Sequence, residues 1–182
     1  WAMSSDDYVK NAVKEVVEIL EKDGLKLKGK AYRPYDSEYR PELDATELLD
    51  ENGVTQYQGY IGTFRWMIEL GRLDINTEVS QLSSFQAMPR KGHLEACYSI
   101  FAYLRKHPTM AIAFHPDKIH MKQSRFKVAD WSDFYGNEKE ELPPDMPEPL
   151  GNSIKIVVVV YSDHDVNRLR RRSHTGLFIF CL

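Results

Sequence analysis

The stretch Ile154–Leu182, IKIVVVVYSDHDVNRLRRRSHTGLFIFCL, decides how the rest of the chain is read. Ile154 to Tyr161 is β-branched and nearly continuous, which suits a strand buried on both faces. Acids at Asp163 and Asp165 and a basic turn, Arg168–Arg172, lead to a second strand from Thr175 to Leu182. Strands this close in sequence pair antiparallel across their turn. The hairpin has two open edges and no helix of its own to cover either face, so self-association through it is expected.

Working back from the hairpin, Asp117–Asn152 is irregular, rich in acids and prolines, and ends LPPDMPEPLGN. Thr109–Phe114 (TMAIAF) has strand character. Ahead of it, MPRKGHLEACYSIFAYLRKHP is helical, opened by Pro89 and closed by Pro108, with His93, Cys97, Ile100 and Leu104 on one face. A shorter helix from Asp74 to Phe85, with Asp74 as its cap, follows a longer one over Thr55–Arg72, where Tyr57, Ile61, Phe64 and Ile68 align. Trp66 on that helix is assigned to the core. From Leu25 to Asn52 periodicity fades into an extended, mostly solvated connector. The first helix starts after Ser4 and Ser5, carries Tyr8, Ala12, Val16, Ile19 and Leu20 on one face, and stops at Gly24.

These elements predict an α+β chain: a helical unit, an irregular linker and a C-terminal antiparallel β-hairpin. Four segments result: 1–52, an N-terminal helix and connector; 53–108, a helical unit; 109–153, an irregular connection; 154–182, the hairpin. At 182 residues with 42% hydrophobic and 12% aromatic content, the chain can bury a core. Its net charge of -3 confines any nucleic-acid binding to local patches. Cys97 and Cys181 sit in apolar patterns and read as small buried hydrophobes in a reducing compartment. The longest apolar run, Ile156–Tyr161, is too short to span a bilayer, so no membrane partner is expected. His107, His115 and His120 match no standard zinc spacing.

Four stretches in order resemble one family, the polyproteins of copia-type long-terminal-repeat retrotransposons. WAMSSDDYVKNAV is similar to the family segment after the reverse-transcriptase palm, where a strand hands over to a helix. Tyr57, Ile61, Gly62, Trp66, Arg72, Asp74, Ile75, Val79, Leu82 and Ser83 match a Y-x-x-x-I-G, R-x-D-I and V-x-x-L-S pattern. Pro89, His93, Ala96, Tyr103 and Leu104 match P-x-x-x-H-x-x-A followed by Y-L. Arg171-Arg172-Ser173-His174-Thr175-Gly176 matches R-R-S-x-x-G.

The resemblance implies a polymerase thumb and connection region running into the first two strands of a ribonuclease-H-like sheet. Its implied partners are an RNA–DNA hybrid or template–primer duplex and the remainder of the polyprotein, in the cytoplasm or a virus-like particle. The intact parent would use Mg2+; this chain is expected to carry no cofactor. The palm carboxylates of a Y-x-D-D hairpin are missing from the sequence. Aligned on Arg171-Arg172-Ser173, Tyr161 takes the place of the family's first metal-binding aspartate. Only the second aspartate, Asp163, is kept, with Asp165 on the same face of an extended chain and Val166 in place of a glycine. Asp163 is thus a remnant candidate for catalysis, and Asp163 with Asp165 the candidates for metal. Phosphate-contact candidates are Arg170, Arg171 and Arg172, whose guanidinium forks suit phosphates, with Arg65 and Arg72 in the thumb-like helices. Three readings stand: a non-catalytic polyprotein fragment, a stand-alone nucleic-acid-binding module, and an inactive degenerate remnant.

Overall fold

The computed structural model describes residues 2–29, 31–113, 130, 132–136, 138, 143–148, 150–151, 156–167, 169 and 172–181. In the last two strands the side chains described are those at 156, 158–160, 175–177 and 179. The chain divides into two compact units, Trp1–Phe114 with Asn167–Arg171, and His115–Val166 with Arg172–Leu182. Helices with two small antiparallel two-stranded sheets make it a mixed α+β protein.

In the first unit, strand β1 (Ala2–Ser4) leads into helix α1 (Asp6–Lys22). The buried face of α1 is Val9, Ala12, Val13, Val16 and Leu20, while Tyr8 and Ile19 lie on its exposed margin. The expected stripe is thus rotated: the small β-branched Val9 and Val13 face the core, and the two bulkier residues flank it. Of the two serines expected to accept the first free N–H groups, Ser4 does so, its Oγ taking the Asp6 N–H at 3.3 Å, whereas Ser5 does not. Ser5 Oγ is buried with no hydrogen-bond partner among the described residues, and Ser4 Oγ also donates to Asp6 Oδ1. Gly24, at φ 70°, ends the helix as expected, with Leu25 N–H donating to Leu20 O (2.8 Å) and Gly24 N–H to Glu21 O (3.1 Å).

The connector that follows is anchored to the unit by buried Leu27, Ala31 and Pro41, the last opening a short 3-10 turn, Pro41–Leu43. Its end runs antiparallel to the start of helix α4 (Lys91–Lys106): Leu48 bridges Arg90, and Lys91 N–H donates to Glu47 O at 2.9 Å. Thr46 Oγ1 takes the Gly92 N–H at 2.9 Å, so the connector satisfies a free N–H in the first turn of α4. A Cβ at Gly92 would lie 1.9 Å from Asp44 Oδ2, a carboxylate already held by Tyr39 and Thr46. Only glycine admits this approach.

Helix α2 (Glu51–Glu69) starts at Asp50, whose Oδ1 accepts from Gly53 N–H at 2.8 Å. It ends before Gly71 (φ 111°), three residues short of the expected Arg72. A 3-10 turn, Leu73–Ile75, leads to α3 (Asn76–Ser83), and strand β2 (Ala111–Ala113) follows α4. Helix α1 packs chiefly on α4, which also meets α2. The face expected of α4, His93, Cys97, Ile100 and Leu104, is buried throughout. Phe101 joins it, with ring centroids 4.5 Å from Phe64 and 5.0 Å from Tyr60. Strand β2 pairs antiparallel with β1, Ala2 opposite Ala113.

The second unit contains the one-turn helix α5 (Ser132–Tyr135) and strands β3 (Ile156–Asn167) and β4 (Arg172–Cys181), which pair with each other. Strand β3 runs past Tyr161, where the expected strand ends, to Asn167 and takes in Asp163 and Asp165. Cross-strand pairing with the ten-residue β4 outweighs the weak strand propensity of its aspartates. Val158, Val159 and Val160 are all exposed, as are Leu177 and Ile179. Successive strand residues point to opposite faces, so the expected burial on both faces is not met within this unit.

Candidate nucleic-acid interface

Arg72 is not available to phosphate. Its side chain is 0% exposed, and its guanidinium grips Asp74 through two bonds, Nε to Oδ1 at 2.9 Å and Nη2 to Oδ2 at 2.7 Å. Nη1 donates to His107 O at 2.7 Å, and Tyr103 OH donates to Asp74 Oδ2 at 3.0 Å. Asp74 is therefore an anchor for Arg72 rather than the cap of α3; Ile75 stands at that cap position. The reason is geometric: the turn after Gly71 folds the Arg72 side chain inward, where its charge needs a planar partner two residues on.

Arg65 remains exposed on α2, and it has an unforeseen companion. Trp66, assigned to the core from sequence, is 55% exposed. The buried face of α2 is Tyr57, Tyr60, Ile61, Phe64 and Met67, and position 66 lies on the opposite side of the cylinder. That outer side carries Gln58, Gly59, Gly62, Arg65 and Trp66. A Cβ at Gly59 or Gly62 would meet nothing within 4 Å, so no contact inside the unit accounts for either glycine. The result is a low, open strip of helix backbone flanked by an amide, a guanidinium and an indole. Beside it, between α2 and α3, a recess of about 170 Å³ is lined by Arg65, Glu69, Asn76, Ser80 and Ser83. The signal missed in the sequence was the i, i+4 spacing of Gln58, Gly62 and Trp66 opposite the apolar stripe.

Asp163 and Asp165 both fall in β3, and Arg172 opens β4. Their side chains, with Arg170 and Arg171 as a whole, lie outside the described residues, as do His115 and His120. A ribonuclease-H-type magnesium pair needs about four carboxylates. Strand β3 carries two, Asp163 and Asp165.

His93 belongs to the scaffold. It is 2% exposed, its Nδ1 accepts from Arg90 N–H at 3.0 Å, and its Nε2–H donates to Pro41 O at 2.9 Å. Burial lowers its pKa below the ordinary imidazole value, with Arg90 adding to the lowering while Pro41 O and Asp44 oppose it. The unfolded chain, titrating at about 6.5, then takes up the proton first as pH falls. His93 therefore contributes stability that is complete above about pH 6.5 and is lost progressively below it. Urea melts at pH 7.5 and 5.5 should show lower stability at 5.5, and His93→Gln should flatten that difference; an unchanged slope would refute the assignment.

No family model, curated protein or solved structure matches the chain. Among the described residues, no helix is long and apolar enough to cross a membrane.

Proposed function

We propose that this chain is the duplex-gripping thumb and connection segment of a copia-type reverse transcriptase/ribonuclease H polyprotein, itself non-catalytic, with its C-terminal hairpin as the start of the ribonuclease-H-like sheet. The observation that carries the reading is the outer face of α2. Its open strip of backbone at Gly59 and Gly62, set between Gln58, Arg65 and Trp66, suits close approach by a nucleic-acid backbone and groove. The amide and guanidinium supply donors, and the indole supplies apolar area.

The buried framework supports the same reading. Many of the residues that carry the family resemblance hold the helices in place: Tyr57 OH donates to Leu82 O at 2.7 Å, Arg72 binds Asp74, Tyr103 closes on Asp74, and His93 ties α4 to Pro41. The likeness therefore lies in a scaffold that presents a surface, and catalysis belongs to other parts of the parent.

The test is binding of the full chain to an RNA–DNA hybrid, followed by fluorescence anisotropy over a range of salt. Arg65→Ala and Trp66→Ala should each weaken binding about ten-fold. Alanine at Arg170, Arg171 and Arg172 should reduce the salt slope by roughly one unit for each phosphate no longer neutralised. The paired change Gly59→Ala and Gly62→Ala is the most discriminating. Alanine is the better helix former by about 0.5–1 kcal/mol per site, so this variant should be more stable yet bind the hybrid less tightly. A stabilised variant that binds the hybrid as well as the parent chain does would sink the assignment of this face.

A further inference from the structure

On the first unit, the connector and α4 enclose an open cavity of about 380 Å³, separate from the outer face of α2. Its wall includes Lys28, Tyr32, Arg33, Asp36, Ser37 and Ser99, and it is within the size range of small-ligand clefts. The local fold explains why these groups converge. Leu27 and Ala31 are buried and pin the connector, and Lys28 and Arg33 are exposed. Arg105 Nη2 donates to Lys28 O at 3.1 Å and fixes the backbone there. Behind them Tyr35 is half-buried, its hydroxyl bonded to Gln81 and its ring edge-on to Tyr39 at 5.5 Å. The wall is therefore preorganised.

The chemistry on this wall is of three kinds. Among the described residues Lys28 and Arg33 form no ion pair, and both border the cavity. Tyr32 is 73% exposed at the cavity edge; Lys106 Nζ sits over one face of its ring, 3.1 Å from the centroid, and the other face is the aromatic surface on offer. Asp36 Oδ1 accepts from Glu38 N–H at 3.0 Å, and no described group donates to its Oδ2; Ser37 and Ser99 add hydroxyls. Cations suit a phosphate ester, an exposed ring suits a flat base, and a carboxylate with hydroxyls suits sugar hydroxyls. Free inorganic phosphate would use only the first of the three.

We propose that this cavity binds a nucleotide: a phosphate between Lys28 and Arg33, a base on Tyr32, and a sugar facing Asp36 and Ser37. The site uses none of the residues of the α2 face and stands independently of the duplex reading. Two sources supply this chemistry, a free mononucleotide or one unit of a single strand.

Calorimetric titration of the full chain with adenosine monophosphate, adenosine and a short oligodeoxyadenylate tests the proposal and separates the sources. Adenosine monophosphate should bind about ten-fold or more tightly than adenosine, and the double change Lys28→Ala and Arg33→Ala should abolish that advantage. Tyr32→Phe should bind as the parent chain does, Tyr32→Ala more weakly. Trp66→Ala should leave nucleotide binding intact, which separates this site from the α2 face. An oligonucleotide that binds more tightly than the mononucleotide makes a strand the source; equal affinities make it the free nucleotide. Equal affinity for adenosine and its monophosphate, undiminished binding in the double variant, or no binding of any probe would overturn it.

Discussion

Replacing Arg72 with alanine should lower the stability of the first unit by about 3–5 kcal/mol, the cost of breaking a buried pair from one side. The guanidinium is fully buried and makes three hydrogen bonds, two to Asp74 and one to the last carbonyl of the α4 turn at His107. Alanine removes all three and leaves the mostly buried Asp74 with only Tyr103 as a described partner, besides a cavity where the side chain was. A domain's whole stability is about 5–15 kcal/mol, so the loss is a large share of it. Substituting both partners, Arg72→Met with Asp74→Asn, should cost less than Arg72→Ala alone, because no charge is then stranded. Urea denaturation followed by circular dichroism measures both; a single variant within about 1 kcal/mol of the parent would refute the structural role.

Phe101→Ala is expected to be comparably severe, about 3–5 kcal/mol. Phe101 is 0% exposed, its ring tilted on Phe64 at 4.5 Å and edge-on to Tyr60 at 5.0 Å, so truncation leaves a cavity between α4 and α2. The aromatic pairs add about 0.5–1.5 kcal/mol beyond simple area burial. Phe101→Leu keeps most of the volume and should cost less. Met88→Ala, at a position 67% exposed, should change stability by no more than about 0.5 kcal/mol. If Phe101→Ala and Met88→Ala melted alike, the packing between α2 and α4 would be wrong.

These two residues show which parts of the fold could be read from the sequence. Helix α4 was legible because His93, Cys97, Ile100 and Leu104 repeat at helical spacing between Pro89 and Pro108, and each is buried. The stop at Gly24 was legible for a similarly local reason. Arg72 was not, since an arginine's burial depends on a turn that brings Asp74, Tyr103 and His107 around it, and those partners are up to 35 residues away. The bond from the connector to the first turn of α4 was hidden in the same way, because Thr46 reaches Gly92 across 46 positions. On α1 the apolar residues span more than one face, and packing on α4 selects Val9 and Val13 over Tyr8 and Ile19.

For the candidate interface, Arg65 was legible as a cation on a helix, whereas Trp66 was misplaced by its hydrophobicity. The angular position of 66, nearly opposite the Tyr57–Ile61–Phe64 stripe, outweighs the general tendency of tryptophan to be buried. The nucleotide-sized cavity had no signature in the sequence at all. Its cations, Lys28 and Arg33, come from a connector without periodicity, pinned by the burial of Leu27 and Ala31.

The pairing of β1 with β2 has a consequence for how this region can be handled. With Ala2 opposite Ala113, the backbone arrives at and departs from the helical unit at points about 5 Å apart. Adjacent ends of this kind are what insertion into a surface loop of a host, or relinking end to end with a new opening elsewhere, requires of the backbone.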